Sequence, residues 1–117
     1  MAYVDGLVFA VPNDRRAEFE AYSRKFLAVF KQLGATRLVD CWGDDVPDGK
    51  LTSFPMAVKC EAGETVVFSW IEWPSREVRN AAWETMQKDP AMQMADNPMP
   101  FDGKRMIYGG FEMITEA

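Results

Sequence analysis

Apolar positions recur along the chain with two different periods, which divide it into strands and helices. Tyr3 to Val11 is apolar and rich in aromatic and β-branched residues until a proline stops it, so this segment predicts a first strand. Apolar side chains then recur at spacings of three and four, which predicts an amphipathic helix of about twenty residues that Asn13 or Asp14 caps and Gly34 closes. The apolar positions of this helix are Phe19, Tyr22, Phe26, Val29, Phe30 and Leu33.

Two strands and an undecided segment follow. Ala35 to Trp42 predicts the second strand, and Thr65 to Trp73, which Pro74 ends, is the clearest strand of the chain. Between them runs a long stretch rich in turn residues. Within it, Met56 to Cys60 fits either a short helix or an edge strand.

The last third of the chain predicts a helix, an irregular connection over 91–100 and a final strand. Ser75 caps the helix and Asp89-Pro90 ends it. Its apolar stripe is Val78, Ala82 and Met86. Lys104 to Ile114 predicts the final strand, in which Gly109-Gly110 marks a bulge or a close backbone approach.

This order, β-α-β-β-α-β, predicts the fold. It is the split βαβ pattern of ferredoxin-like domains, an α+β fold with an antiparallel four-stranded sheet and two main helices on one face. The chain has 117 residues, which is enough for one domain, residues 1–117, with a core that needs no disulfide bonds.

Both faces of the predicted sheet are apolar, and this predicts a partner. In the third strand the two faces carry Val66, Phe68 and Trp70, and Val67, Ile71 and Trp73. Two helices can cover only one face, and the other would leave a larger apolar patch than a soluble monomer usually exposes. A second copy is the simplest cover, so we expect a homodimer. The alternative is that the loop from Gly43 to Cys60 folds over the open face.

Composition and charge narrow the classes of function. The net charge is −5 and the basic residues are scattered, which argues against a nucleic-acid partner or an anionic membrane surface. Cys41 and Cys60 are too few and too far apart for a disulfide framework or a zinc site, and we expect reduced thiols buried as small apolar side chains. No signal-peptide pattern and no run of about 18 apolar residues occurs, which predicts a cytoplasmic protein.

Three blocks of sequence resemble those of the YbaA-like family, bacterial proteins assigned to a domain of unknown function. The blocks are WGDDVPDGK, VVFSWIEWPS and PFDGKRMIYGGFE, and the likeness runs from Tyr3 to Glu112. The resemblance implies the dimeric α+β barrel superfamily, in which two ferredoxin-like sheets pack face to face. That superfamily includes cofactor-independent monooxygenases, haem-degrading enzymes, peroxidases and lactone isomerases, and the fold alone does not choose among them.

The absence of histidine removes several mechanisms. The sequence contains no histidine to serve as haem ligand, general base or imidazole metal ligand. Haem degradation in the usual style of the superfamily and Ser-His-Asp or Cys-His catalysis are therefore disfavoured, and we expect no bound cofactor.

Carboxylates inside or at the ends of strands are the candidate acids and bases, since a buried carboxyl has a raised pKa. These are Asp5, Asp40, Glu72 and Glu112. Asp40 or Glu72 would be the proton acceptor of a monooxygenase-like or isomerase-like reaction. The alternative for each carboxylate is a solvated position or an ion pair with Arg37 or Arg105.

An acidic run, DCWGDDVPDGK from Asp40 to Lys50, brings three carboxylates to the end of the second strand. Asp44, Asp45 and Asp48 could contact a ligand or bind Mg²⁺ or Ca²⁺, but the spacing lacks the later bidentate glutamate of an EF-hand. Turn formation is the favoured interpretation, because Asp and Gly stabilise tight turns. We therefore predict no metal site, and Asp44 and Asp45 remain candidate ligand contacts.

Aromatic residues supply the remaining candidates. Trp42, Phe54, Trp70 and Tyr108 could line an apolar small-molecule pocket between sheet and helices, or form a dimer core. In the first hypothesis Trp70 and Tyr108 stack on a planar substrate and Arg105 holds its anionic group. In the second, the protein is a non-enzymatic interaction module whose aromatics are buried at the interface. The methionines Met92, Met94 and Met99 are expected to provide loose packing.

Overall fold

The computed structural model describes residues 2–88 and 98–117 and confirms the predicted order of elements. The strands are β1 (Tyr3–Pro12), β2 (Arg37–Trp42), β3 (Glu64–Trp73) and β4 (Ile107–Glu112). The helices are α1 (Arg16–Gln32), α2 (Phe54–Ala57) and α3 (Arg76–Lys88), and 3-10 turns occupy Asn13–Arg15 and Gly103–Arg105. The undecided segment is therefore a short helix. The helix end expected at Asp89-Pro90 lies outside the described residues, as do Met92 and Met94.

The four strands form one antiparallel sheet in the order β2-β3-β1-β4. This is the α+β arrangement that the split βαβ pattern predicts, with β1 and β3 in the centre. The register is continuous, with Val4 opposite Glu72 on one side and opposite Phe111 on the other. Because side chains alternate along a strand, this register fixes which residues share a face.

Helices α1 and α3 cover one face of the sheet, as predicted, and the main core lies beneath them. Phe30 of α1 is fully buried against Trp73 of β3, with ring centroids 5.9 Å apart in an edge-to-face arrangement. Ala82 of α3 closes the same core, and Val78 and Met86 of the predicted stripe pack against it.

Gly34 ends α1 in the predicted way. Its φ of +112° places it in a conformation that side chains disfavour. The amide of Gly34 then donates to the carbonyl of Lys31 at 3.3 Å, and that of Ala35 donates to the carbonyl of Phe30 at 3.1 Å. This is a Schellman motif, which satisfies carbonyls that the helix end would leave unpaired.

The start of α1 differs from the prediction, because neither Asn13 nor Asp14 caps the helix. Both lie in the preceding 3-10 turn, and the cap position, Arg15, makes no side-chain capping bond. The side chain of Asn13 instead accepts a hydrogen bond from the hydroxyl of Thr65. The backbone amide of Asn13 donates to the carbonyl of Gly63 at 2.8 Å. Asn13 thus joins the end of β1 to the start of β3.

Gly110 makes a close approach without a bulge, which settles the two interpretations of the Gly109-Gly110 pair. The pairing of β4 with β1 is uninterrupted there. A Cβ atom on Gly110 would lie 2.7 Å from Cε2 of Tyr3, so the tyrosine ring occupies the space of the missing side chain.

Within the described part of the chain, only the segment 54–60 covers the other face of the sheet, which we call the helix-free face, and it does so at one end. Val58 of the segment 54–60 is fully buried there against Val8, Ala10 and Val66, and Cys60 packs beside them. We call this segment the cap. The loop alternative therefore holds for the cap region alone, and Phe68, Ile107 and Phe111 on the rest of the face are exposed. Among the described residues, no helix is long and apolar enough to cross a membrane.

Candidate functional site

The open part of the helix-free face holds an apolar groove of about 560 Å³. Its floor is formed by Gly6 of β1 and Gly109 of β4, which lie opposite each other in the register. Because neither residue has a side chain, the sheet surface between β1 and edge strand β4 is lower there than around it. The remaining lining residues are Val4, Leu7, Val8, Phe68, Trp70, Glu72, Ile107, Tyr108, Phe111 and Met113.

Aromatic rings form the walls of the groove. Phe68 and Trp70 of β3 stand on one side with ring centroids 5.8 Å apart. Phe111 of β4 stands on the other side and leans over the floor, since a Cβ on Gly6 would lie 3.5 Å from its Cε2. Phe111 is 59% exposed and Phe68 43% exposed. Such exposure of large apolar side chains in one patch is typical of a surface that contacts another molecule.

Glu72 is the only charged side chain among the described residues that line the groove. Its Oε2 accepts a hydrogen bond from Nε1 of Trp70 at 2.9 Å, so one carboxylate oxygen is fixed beside the indole ring. The backbone carbonyl of Glu72 accepts from the amide of Thr36 at 2.8 Å, which extends the pairing of β2 and β3 at this end. Arg37 lies opposite Glu72 in the register but is not among the lining residues.

The cap closes the opposite end of the helix-free face. Ser53 immediately precedes helix α2 as its N-terminal capping residue, and its hydroxyl accepts a hydrogen bond from the backbone amide of Met56 at 3.1 Å. The ring of Phe54 meets that of Phe68 edge-on, with centroids 5.9 Å apart. Phe54 is therefore a neighbour of the groove wall and not a lining residue.

Arg105 fixes the cap and is not placed to hold an anionic ligand. Its guanidinium binds both carboxylate oxygens of Glu64, at 2.7 and 2.8 Å, and donates to the carbonyl of Lys59 at 2.9 Å. Its Nε donates to Asp102 at 3.1 Å. This hydrogen bonding lowers the pKa of the Glu64 carboxyl and raises that of Arg105. Arg105 thus ties the end of the cap to the start of β4.

Asp40 lies on the face covered by helices, away from the groove. It accepts a hydrogen bond from the hydroxyl of Ser23, which is buried in α1. Burial, with a smaller contribution from the charge of Asp40, raises the pKa of Tyr22 to about 12. Trp42 lies on the same strand and packs against the main core. The guanidinium of Arg16 lies over its ring, 4.9 Å from the ring centroid. Asp40, Ser23, Trp42 and Arg16 are among the residues that line a cleft of about 300 Å³.

The acidic run forms an exposed turn region after β2. Gly43 is tightly enclosed, since a Cβ there would lie 2.7 Å from the carbonyl oxygen of Val66, and Gly49 has a φ of +70°. Asp44 and Asp48 border a polar depression of about 390 Å³, whereas Asp45 is exposed outside it. Within residues 2–88 and 98–117, no group of three or more acidic or cysteine side chains is arranged to hold a metal ion.

Of the predicted site residues, the structure brings Trp70 and Glu72 together in the groove. Tyr108 contributes to its lining, but the register places its side chain on the opposite face, with 74% of the residue exposed. The prediction of two buried thiols is wrong for Cys41, which is exposed because it lies on edge strand β2. Cys60 is partly buried, and that burial raises the pKa of its thiol, which disfavours the nucleophilic thiolate.

Sequence reasoning missed the floor of the groove and the partner of Asp5. A single glycine in the first strand resembled an interruption of the pattern, and only the register shows that Gly6 faces Gly109. Asp5 is 4% exposed and pairs with Arg79, so neither alternative considered for it, a solvated position or an ion pair with Arg37 or Arg105, is correct. A charged residue in the middle of an apolar strand was the available signal, but it does not reveal its partner.

The fold and the groove define a small α+β protein whose helix-free sheet face is partly covered by the cap and carries an apolar groove. The chain belongs to the family described as "Protein of unknown function (DUF1428)", whose model matches residues 2–103. It is 57% identical over 116 residues to the "Uncharacterized protein YbaA" of Escherichia coli strain K12, with 99% of each chain covered. The Shigella flexneri protein of that name is similar to the same extent. The predicted family resemblance is confirmed.

Proposed function

We propose that two copies of the chain pack through their helix-free faces and that the groove between them binds a small, apolar molecule. The observation that carries this proposal is the groove itself, in which an apolar surface of glycines, valines and aromatic rings surrounds one fixed carboxylate. A concave, mostly apolar site with few polar groups is the usual form of a small-molecule site.

The size of the helix-free face fits a second copy. Four strands about 4.8 Å apart, with about 3.3 Å per residue, give a face roughly 19 Å wide and 20–33 Å long. The projected area of the whole face is therefore about 400–600 Å², of which the cap covers one end, and the accessible area of the side chains standing on the open part is larger than its projection. A stable interface buries about 800 Å² on each partner. The exposed rings of Phe68 and Phe111 provide the apolar centre that such an interface needs.

A proton transfer on a bound ligand would fall to Glu72, because it is the charged side chain within the groove. Asp40, the other candidate acceptor, belongs to the cleft on the opposite face and is hydrogen-bonded by Ser23. An isomerase-like or monooxygenase-like reaction in the groove would therefore use Glu72 with Trp70 orienting its carboxylate.

Two residues of β4 on opposite faces of the sheet, Phe111 and Tyr108, test the dimer. Phe111→Asp places a charge on the helix-free face and should convert the dimer to monomer at low micromolar concentration, measured by size-exclusion chromatography with light scattering. Tyr108→Asp places the same charge on the opposite, exposed side of the strand and should leave the dimer intact. A monomeric wild-type chain, or equal effects of the two substitutions, would contradict the proposed interface.

A second candidate function is an interaction module in which side chains of the partner fill the groove. The exposure of Phe111 and Ile107, 59% and 45%, favours it, since both could insert into the opposite copy. Binding of neutral naphthylmethanol, followed by quenching of tryptophan fluorescence with Trp70→Phe as control, separates the two. Saturable quenching that needs Trp70 supports the ligand groove, whereas an intact dimer without binding supports the module.

A further inference from the structure

We infer that the groove selects an organic cation with a flat apolar body, such as an aromatic ammonium, over neutral or anionic molecules of the same shape. This inference rests on the proposed function, because it names the ligand class of the same groove. The aromatic walls of the groove and the carboxylate of Glu72 support this ligand class.

Aromatic rings on both sides of the floor attract a cation. Phe68 and Trp70 meet at 61° on one wall, and Phe111 lies on the other, so a ligand on the glycine floor has ring faces or edges around it. A cation over an aromatic face gains about 0.5–2 kcal/mol, most when water is excluded. Because Gly6 and Gly109 carry no side chains, the ring of Phe111 approaches both, with its Cε2 3.5 and 3.6 Å from where their Cβ atoms would lie, so a flat ligand in the groove would pack against this ring.

The carboxylate of Glu72 supplies the counter-charge at one end of the groove. One of its oxygens is held by Nε1 of Trp70 at 2.9 Å, which orients the group beside the indole. A second copy packed on this face would remove water from Glu72, and an unpaired buried charge is unfavourable. A bound ammonium group would pair with it and restore a charge-assisted hydrogen bond.

An anionic ligand finds no comparable partner. No basic residue appears among the described residues that line the groove. Arg105, the predicted anion-holding residue, already binds Glu64, Asp102 and the carbonyl of Lys59. Arg37 is the cross-strand neighbour of Glu72 and lies outside the lining. The net charge of −5 further favours the approach of cations.

Three probes of one shape test the ligand class: naphthylmethylammonium, naphthylmethanol and naphthoate. Their affinities for the wild-type protein are measured by titration of tryptophan fluorescence and by calorimetry at low salt. We expect the cation to bind about tenfold more tightly than the neutral alcohol, and naphthoate to bind more weakly than either. Equal affinities for the three probes would overturn the cation preference while leaving the proposed groove in place. Failure of all three to bind would contradict the groove itself and, with it, this inference.

Two matched carboxylate variants locate the preference. Glu72→Gln should lower the affinity for naphthylmethylammonium about fivefold, which leaves only the preference that the aromatic rings provide, without changing the affinity for the alcohol. Glu112→Gln removes the same charge from an exposed position outside the groove lining and should change neither affinity. A cation preference that is undiminished in Glu72→Gln, or that falls equally in Glu112→Gln, would contradict the assignment to Glu72.

Discussion

Arg79 of α3 binds both carboxylate oxygens of Asp5 in β1, with Nη2 2.8 Å from Oδ1 and Nε 3.2 Å from Oδ2. The indole nitrogens of Trp73 and Trp83 also donate to Oδ2, at 2.9 and 3.2 Å. Asp5 is 4% exposed, so a buried charge is fully hydrogen-bonded. The cluster joins α3 to the central strand of the sheet.

Removing one member of this pair should destabilise the fold by an amount that depends on which member is lost. Arg79→Met leaves the buried carboxylate without its counter-charge and should lower the free energy of unfolding by about 3 kcal/mol. Asp5→Asn keeps an acceptor for the indoles, and it leaves Arg79 in reach of water because the arginine side chain is 22% exposed. This variant should therefore lower the free energy of unfolding by only about 1–2 kcal/mol. Urea unfolding at one protein concentration measures both.

A double-mutant cycle supplies the control for that prediction. The combined variant Asp5→Asn/Arg79→Met should lose less stability than the two single losses added together, because neither partner remains as an unpaired charge. Additive losses would show that the ion pair contributes nothing beyond its separate members.

Three glycines of the sheet should respond differently to alanine. Gly110→Ala places a Cβ 2.7 Å from the Tyr3 ring and should lower the free energy of unfolding by about 1–3 kcal/mol. Gly6→Ala and Gly109→Ala place a Cβ at 3.5 and 3.6 Å from Phe111, which is ordinary contact, and should stay within about 1 kcal/mol. Thermal unfolding ranks the three, and equal losses would contradict the side-chain positions described for Tyr3 and Phe111.

The same variants separate stability from binding. Because Gly6 and Gly109 form the floor of the groove, their alanine variants should bind naphthylmethanol more weakly although they remain folded. Gly110 is not a lining residue, so the folded molecules of Gly110→Ala should bind naphthylmethanol with the same affinity as the wild-type protein.

Tyr22 should make the protein sensitive to alkali. Its pKa is raised from 10.0 to about 12, chiefly by burial, so the unfolded chain loses the phenol proton first as the pH rises. Stability contributed by the neutral phenol therefore falls between these two values. Tyr22→Phe should therefore lose less stability in alkali than the wild-type protein. The measurement is the fall in the urea midpoint of each protein between neutral and alkaline pH. Tyr108→Phe, at an exposed phenol, is the control and should not reproduce the effect.

Glu64 should make the cap sensitive to acid. Binding to Arg105 lowers its pKa below the ordinary 4.5, so the pair stabilises the fold fully above that value and less as the pH falls through the lowered pKa. The stability gap between wild type and Glu64→Gln should therefore be constant above 4.5 and close in stronger acid. Glu84→Gln, which breaks an exposed pair with Lys88, should show little gap at any pH, and a similar gap would argue against a special role of Arg105.

The sequence predicted the layers of this fold well because the spacing of apolar residues shows directly which face of a strand or helix each residue occupies. The alternation of Val66, Phe68 and Trp70 with Val67 and Ile71 assigns each residue of β3 to the face on which it lies. The helix stripes did the same for α1 and α3. Such patterns depend on neighbours a few positions apart and need no knowledge of tertiary contacts.

The polar contacts were less predictable because they join distant parts of the chain. Asp5 and Arg79 are 74 positions apart, and Glu64 and Arg105 are 41 apart. Several arginines could have served either carboxylate, and the sequence does not rank them. The groove required the alignment of β1 with β4, which places two glycines opposite each other, and that alignment is a property of the sheet and not of either strand.

The cap makes the two ends of the helix-free face unequal. Segment 54–60 rises from the sheet at the end that holds Val8 and Val66, and Arg105 keeps it there through the carbonyl of Lys59. In the proposed dimer, a second sheet would lie flat only beyond this step, so the step would act as a steric stop along the strand direction. It would restrict how far the two identical faces can slide over each other, with the groove on the side where they overlap.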